Sequence, residues 1–408
     1  MSHFVIIGAG ECGARAAFAL REKGFDGGIT LVGSEAIAPY ERPPLSKASV
    51  TETLDPKFIA SLEKYAESGI RLLSDVTAQD VDPIAKTVTC SDGSMLAYDK
   101  LLLATGAIAR PLPGAPVNSE HIRSLRTHAD AMALRKAMLP GKHIAIIGGG
   151  FIGLELAAMA RILRADVTVI EGLERVLKRG VPEDIARVIT ERHRTEGVDV
   201  RCGVAISALT EEHGKAVVRL SSGEAIEADL VLVGIGAMPS TELAMRAGLT
   251  IENGIAVNEY LMTSAPDIYA AGDCCSFPLA IYGGRRVRLE SWRNAQEQGT
   301  LAAANMMGVD EAVSAVPWFW SDQYDMTLQI AGLSEGAVTH LRRDLGESAF
   351  ILFHLDEAGR LLAASGIGPG NAVARDIRLA EMLIAARAHP DPAALVASNI
   401  KLKSLLAA

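Results

Sequence analysis

Two stretches of the chain share one rhythm of apolar and polar positions. From His3 an unbroken apolar run, Phe4-Val-Ile-Ile7, meets the turn Gly8-Ala-Gly10-Glu-Cys-Gly13 and then an alanine-rich segment ending near Gly24. Far downstream, His143-Ile-Ala-Ile-Ile147 meets Gly148-Gly-Gly150-Phe-Ile-Gly153 and a second alanine-rich segment reaching Ala165. A short run apolar on both faces reads as a buried strand of a parallel sheet, and apolar positions recurring every three or four residues read as a helix. Each stretch therefore predicts strand, turn and helix. A further strand follows in both cases, Ile29 to Gly33 leading to Glu35, and Asp166 to Glu171.

The repetition continues. Residues 87–106 alternate around an Asp-Gly turn and close on a buried run ending Ala104-Thr105-Gly106; residues 217–236 follow the same plan around Ser-Gly and end Gly234-Ile-Gly236. Alternation of period two about such turns predicts an antiparallel meander. Each half is thus a parallel βαβ unit closed by a meander. The strand Asp267-Ile-Tyr-Ala-Ala-Gly-Asp273 has no counterpart in the first half, so the chain is expected to return there to the first module. A helix is predicted from Ser291 to Met306, and beyond Val316 the texture changes: Trp318, Phe319 and Trp320 cluster, strands follow near Leu328 and 349–355, and an amphipathic helix spans Val373 to Arg387. The expected fold is α/β, with two doubly wound Rossmann-like domains and a C-terminal α+β domain.

Composition narrows the function. With 40 basic against 49 acidic residues the net charge is −9, which argues against a surface built to grip nucleic acid. No apolar run reaches the roughly 18 residues needed to cross a bilayer, and the strand at Phe4 leaves no room for a secretory leader, so a cytoplasmic protein is expected. The five cysteines, Cys12, Cys90, Cys202, Cys274 and Cys275, match neither a zinc nor an iron–sulfur spacing. Any metal cluster served by the chain is expected on a partner.

The chemistry lies in the turns. In a Gly-x-Gly-x-x-Gly turn the first glycine makes the bend, the second lets backbone approach a pyrophosphate, and the third lets helix pack on strand, with the helix N-terminus facing the phosphates. Glu35 and Glu171 stand where a carboxylate accepts from a ribose diol. Two such sites predict FAD and NAD(P)H. Glu171 favours NADH, because it repels a 2′-phosphate and Arg175 lies a turn too far along to replace it. The unduplicated Asp273 suits ribityl hydroxyls and assigns FAD to the first module. The helix beginning at Ser291 then aims its positive end at the flavin edge that gathers charge on reduction.

"YERPPLSK" (Tyr40 to Lys47), "GGGFIGLELAA", "LESWRNAQEQG" and "PWFWSDQ", together with the two glycine turns and the Ala-Gly-Asp, resemble the FAD-dependent NADH:ferredoxin reductases of bacterial oxygenase systems. The likeness runs the length of the chain. It implies a glutathione-reductase-like arrangement, with FAD on residues 1–111 and 236–314, NAD on 112–235, and a C-terminal domain at 315–408. Disulfide reductases of that architecture carry a cysteine pair in the region that Lys47 occupies here. The resemblance implies that Lys47 lies beside flavin N5, paired with Glu155, and acts there by positioning and charge. FAD would be held by Gly8, Gly10, Gly13, Glu35, Arg42, Lys47, Ala104, Thr105, Gly106, Asp273, Ser291, Trp292 and Trp320. NADH would be held by Gly148, Gly150, Gly153, Glu155, Glu171, Gly234 and Gly236.

The expected partner is an acidic [2Fe-2S] ferredoxin feeding a cytochrome P450 or a Rieske-type oxygenase. Arg288 and Arg293, within a run that also holds Arg285 and Arg286, are its candidate docking residues. Cys12, Cys274 and Cys275 read as structural, and His389-Pro390 as a helix end. Rubredoxin reductase, NADH oxidase and an NADH-switched flavoprotein resembling apoptosis-inducing factor are the alternative readings.

Overall fold

The computed structural model describes residues 2–47, 55–116 and 119–406. The chain divides into two compact units, one made of residues 1–42, 56–108 and 238–319, the other of 43–55, 109–237 and 320–408.

The first unit is built on a five-stranded sheet in the order Ile268–Ala270, Lys100–Leu103, His3–Ile7, Gly28–Val32, Ile70–Leu73, with every neighbour parallel. The strand before Ala-Gly-Asp does return to the first module, pairing Ile268 to Ala270 with Leu101 to Leu103. A three-stranded antiparallel meander, Ala78–Asp82, Thr87–Cys90 and Met95–Ala97, precedes the strand at Lys100. Helix Glu11–Glu22 packs along helix Trp292–Met306. A β-carbon on Gly299 would lie 2.5 Å from the Cys12 carbonyl oxygen, so only glycine allows this approach.

The second unit repeats the plan in the order Asp199–Cys202, Asp166–Glu171, His143–Ile147, Leu230–Val233, Ile122–Arg123, again all parallel. Its meander comprises Ile206–Glu212, Lys215–Leu220 and Ala225–Ala228. The C-terminal region adds a five-stranded sheet, ordered Trp318–Gln323, Met326–Gly332, Leu361–Pro369, Phe350–Leu355, Thr339–Asp344, and helix Ala374–Ala385. One continuous cluster of buried side chains runs from Leu154, Ile185 and Ile189 to Leu328, Phe350 and Ile367.

The duplication reaches the polar anchors. The amide of His3 donates to Asp99, and its ring bridges the Ala97 carbonyl at 2.7 Å and Thr30 Oγ1 at 2.9 Å. The amide of His143 donates to Asp229, and its ring bridges the Glu227 carbonyl at 2.7 Å and Thr168 Oγ1 at 3.0 Å. A carbonyl only accepts, so both rings carry the proton on Nδ1. Arg21 and Arg161 each finish the first helix of their module and donate Nε to a carbonyl at the end of another helix, Ser68 or Glu196, at 2.8 Å in both.

Candidate functional site

The two glycine turns are near copies in space. Gly8 and Gly148 have φ of +112° and +109°, and a β-carbon on either would lie 2.1 Å from the Ala104 oxygen or 2.3 Å from the Gly234 oxygen. Thus Ala104 and Gly234 form the wall that makes the first glycine necessary. A β-carbon on Gly13 or Gly153 would strike the carbonyl of the first glycine, at 1.9 and 2.2 Å. Gly10 and Gly150 differ: nothing lies within 4 Å of either β-position. Each is also the N-cap of its helix and lacks a side-chain cap. An open approach beside uncapped helix N–H groups fits a pyrophosphate in both units.

The carboxylates at the second strands are held differently. Glu35 accepts from Tyr40 Oη and from Arg42, each at 2.6 Å, and Arg42 also donates to Tyr40 at 2.9 Å. Glu171 accepts from backbone instead, from the Gly149 amide at 2.7 Å and the Leu173 amide at 2.8 Å. Arg175 is spent on the carbonyls of Val176 and Val181.

Around Asp273 the unit is tightly bonded. Gly272 has φ of +81°, its amide donates to Gln298 Oε1 at 2.7 Å, and the Asp273 carbonyl accepts from Arg288. Ser291 caps its helix through the Asn294 amide, and Trp292 is the first helical residue. The Gln296 side chain donates to Glu11 at 2.9 Å, and burial raises the Glu11 carboxyl above its ordinary range. Thr105 donates to the Ser240 carbonyl at 2.6 Å, and the Gly106 carbonyl accepts from the Ser240 amide. In the second unit the Gly236 carbonyl accepts from the Arg110 amide. Cys12, Cys274 and Cys275 are fully enclosed, and burial drives their thiols up. Among the described residues the five cysteines are free, and no cluster of His, Cys, Asp and Glu is placed to hold a metal ion. His389 lies between two helices and bonds the Ala358 carbonyl.

Lys47 and Glu155 are brought together in the second unit. Pro43–Ser46 forms a short 3-10 helix, fixed by its paired prolines, against helix Phe151–Ile162. Lys47 Nζ lies 3.1 Å from Glu155 Oε1 and 3.3 Å from Asp322 Oδ2, with the Trp320 ring centre 5.6 Å away. Glu155 is 4% exposed and Lys47 24%. A buried carboxylate needs donors on both oxygens. Ser46 supplies one to Oε2, while Ser321 at 2.6 Å and Lys47 supply Oε1. Trp320 is oriented by its indole N–H, which donates to Asp322 at 3.0 Å.

Ser46, Ser321, Asp322 and Gln323 were not singled out from the sequence, although they stand inside "RPPLSK" and "WSDQ". The available signal was the pair Ser321 and Gln323: polar residues two apart on a strand share a face, and here that face is buried. The arginine run is a set of ion pairs. Arg286 meets Glu252, Arg288 meets Glu290, and Arg293 meets Glu297 at 2.9 Å while lying over the Trp318 ring. Arg288 is only 12% exposed and Arg293 25%. No helix among the described residues is long and apolar enough to cross a membrane.

Comparison with known proteins agrees with this geometry. Residues 2–299 match the pyridine nucleotide-disulphide oxidoreductase family, and residues 318–406 match the reductase C-terminal family. The ferredoxin–NAD(+) reductase component of the anthranilate 1,2-dioxygenase system of Burkholderia cepacia is 40% identical, over 99% of both chains. Putidaredoxin reductase of Pseudomonas putida is 37% identical over 99% of this chain and 96% of its own. The crystal structure of the covalent putidaredoxin reductase–putidaredoxin complex superposes with a TM-score of 0.94 at 36% identity, covering 100% of this chain and 98% of that one. The family match over residues 2–299 and these full-length likenesses make the chain a member of the pyridine nucleotide-disulphide oxidoreductase family.

Proposed function

We infer that this protein is an NADH-dependent ferredoxin reductase, which passes electrons from NADH by way of FAD to a [2Fe-2S] ferredoxin serving a cytochrome P450 or Rieske-type oxygenase. The observation that carries the reading is the coexistence of two equivalent nucleotide turns with an ion pair, Lys47–Glu155, in a region where dithiol-using relatives place sulfur. When bound, FAD supplies the conversion between hydride chemistry and one-electron transfer.

The chain's own residues do the rest. The FAD domain comprises residues 1–111 and 236–314, the NAD domain 112–235, and the C-terminal domain 315–408. Gly10 and the helix behind it receive the FAD pyrophosphate, with Gly8, Gly13 and the strand end Ala104-Thr105-Gly106 shaping the turn. Glu35, presented by Tyr40 and Arg42, takes a ribose. Asp273 takes the ribityl chain, and the helix start at Ser291 and Trp292 faces the ring edge that gains charge. Gly148, Gly150 and Gly153, backed by Gly234 and Gly236, receive NADH, and Glu171, already oriented by two amides, selects the unphosphorylated ribose. Lys47 gives the reduced ring a positive neighbour, Glu155 fixes Lys47, and Trp320 borders them.

Arg293 is the more available of the two docking arginines for an acidic ferredoxin, since Arg288 is largely enclosed with Glu290. The protein works in the cytoplasm, where NADH is supplied and free cysteines persist.

Stopped-flow mixing tests the reading. NADH should bleach the flavin far faster than NADPH, and the reduced protein should then reduce a [2Fe-2S] ferredoxin. Lys47→Met should slow bleaching about 100-fold, the usual scale for losing one preorganised electrostatic group. Bleaching without ferredoxin reduction, alongside rapid oxygen consumption, would replace the reading with an oxidase.

A further inference from the structure

Behind Glu155 the second unit buries a row of polar side chains that an apolar core has no use for. Tyr324 Oη lies 3.2 Å from His193 Nδ1, His193 Nε2 lies 2.9 Å from Gln323 Oε1, Gln323 Nε2 lies 3.2 Å from Ser321 Oγ, and Ser321 Oγ lies 2.6 Å from Glu155 Oε1. His193, Gln323 and Ser321 are 0%, 4% and 1% exposed. Left unbonded, each would carry the full desolvation penalty of a buried polar group, so the row persists only because every member finds a partner.

The direction of every bond is forced. Glu155 accepts, so Ser321 donates; the Ser321 oxygen then receives the Gln323 amide N–H; the Gln323 carbonyl therefore faces His193, whose proton must sit on Nε2; and the bare Nδ1 accepts from Tyr324. Burial lowers the His193 ring below its ordinary titration range, which keeps the neutral form that this order needs. Tyr324 has φ of +57°, unusual for a bulky aromatic, and is held by Arg192, which lies over its ring and pairs with Asp325 and Glu196. The strained turn puts the hydroxyl at His193.

At the other end of the row, Lys47 has two carboxylates to choose from. Glu155 at 3.1 Å is 4% exposed, while Asp322 at 3.3 Å is 40% exposed. We propose that Tyr324, His193, Gln323 and Ser321 are positioning residues that form a one-way donor chain, locking the Glu155 carboxylate in the orientation that holds Lys47 against the pull of Asp322. The proposal rests on the reading of Lys47 and Glu155 as the pair that serves hydride transfer.

The test uses the FAD-loaded protein. Ser321→Ala and Gln323→Leu should each lower the limiting rate of flavin reduction by NADH about 10-fold without moving the NADH dissociation constant, a loss on the scale of one hydrogen bond to a charged group. Ser321→Thr, which keeps the hydroxyl, should restore the rate. Adding Asp322→Asn to Ser321→Ala should recover most of the loss, because the competing carboxylate is gone; a merely structural Ser321 predicts no such rescue. If Ser321→Ala fails to fold, Tyr324→Phe reads the same chain from its far end, with a loss of about 3-fold. Nitrogen-15 NMR of histidine-labelled wild type should show His193 neutral and protonated on Nε2 at pH 7. A His193 protonated on Nδ1, or reduction of Ser321→Ala at the wild-type rate, overturns the proposal. Wild type that NADH cannot reduce overturns the functional reading instead, and the His193 tautomer still decides the chain.

Discussion

Glu35 and Glu171 close equivalent turns, yet one is met by long side chains and the other by backbone amides. Tyr40 and Arg42 reach Glu35 from beyond the strand, with the Arg42–Glu35 pair 29% exposed on each side. Glu171 is pinned by Gly149 and Leu173, which cannot move without moving the turn itself. A carboxylate held by rotatable groups can re-form its bonds around a cofactor that stays. One held by backbone offers a nucleotide that comes and goes a site already in shape, with less ordering to be done at each encounter.

The sharpest break is to add a methyl group at the first glycine of each turn. Gly8→Ala and Gly148→Ala each force a left-handed backbone on alanine and drive its β-carbon into a carbonyl, at 2.1 and 2.3 Å. Each should cost about 3 kcal/mol or more in its own unit. Gly8→Ala should purify colourless. Gly148→Ala should stay yellow, melt earlier and resist bleaching by NADH. Gly10→Ala and Gly150→Ala meet open space, so they should fold with near wild-type melting while binding FAD or NADH more weakly. Equal loss of flavin from Gly8→Ala and Gly148→Ala would mean that the two turns do not serve separate nucleotides.

A smaller change separates the two carboxylates. Glu171→Gln leaves one of two backbone amides without its acceptor and removes the charge that repels a 2′-phosphate. Its kcat/KM for NADH should fall about 10- to 100-fold, while the preference for NADH over NADPH narrows. Glu35→Gln breaks a half-exposed ion pair worth about 1 kcal/mol at most, and should weaken FAD about 5-fold. If Glu35→Gln proved the more damaging, backbone pinning would not be what distinguishes the sites.

Much of this contrast was legible in the chain and part was not. The sheets were readable because runs such as Phe4 to Ile7 and Ile144 to Ile147 can only be buried on both faces, and because the meanders alternate about Asp-Gly and Ser-Gly turns. The return of Ile268–Ala270 to the first sheet followed from its lack of a counterpart. What a local pattern cannot show is which distant groups a polar side chain meets. His193 on a helix and Gln323 on a strand read as surface residues until the fold joins them 2.9 Å apart. The arginine run differs: the carboxylates that pair with Arg288 and Arg293 are Glu290 and Glu297, two and four residues along the chain, so those partners were within reach of the local sequence.

The smallest effect tests whether the repeat is energetic as well as geometric. Arg21 donates to four carbonyls, of Phe25, Gly27, Ser68 and Gly69, at 2.6–2.8 Å. Arg161 bonds two carbonyls, of Glu196 and Ala165, and adds Asp166 at 3.3 Å, which is 75% exposed. An exposed ion pair contributes little, and a part-buried carbonyl that loses its donor costs more, so the first copy, with more such carbonyls, should be the stronger anchor. Because a two-unit flavoprotein does not unfold in one step, the comparison belongs to local amide exchange rather than to a single melting curve. Arg21→Met should speed exchange at Lys23 to Phe25 and at Ser68 to Gly69 about 30-fold, and Arg161→Met at Leu163 to Ala165 and Glu196 to Gly197 about 5-fold. Equal acceleration in both copies would show that one carbonyl contact at each helix end does all the anchoring, and that the additional bonds of Arg21 add nothing.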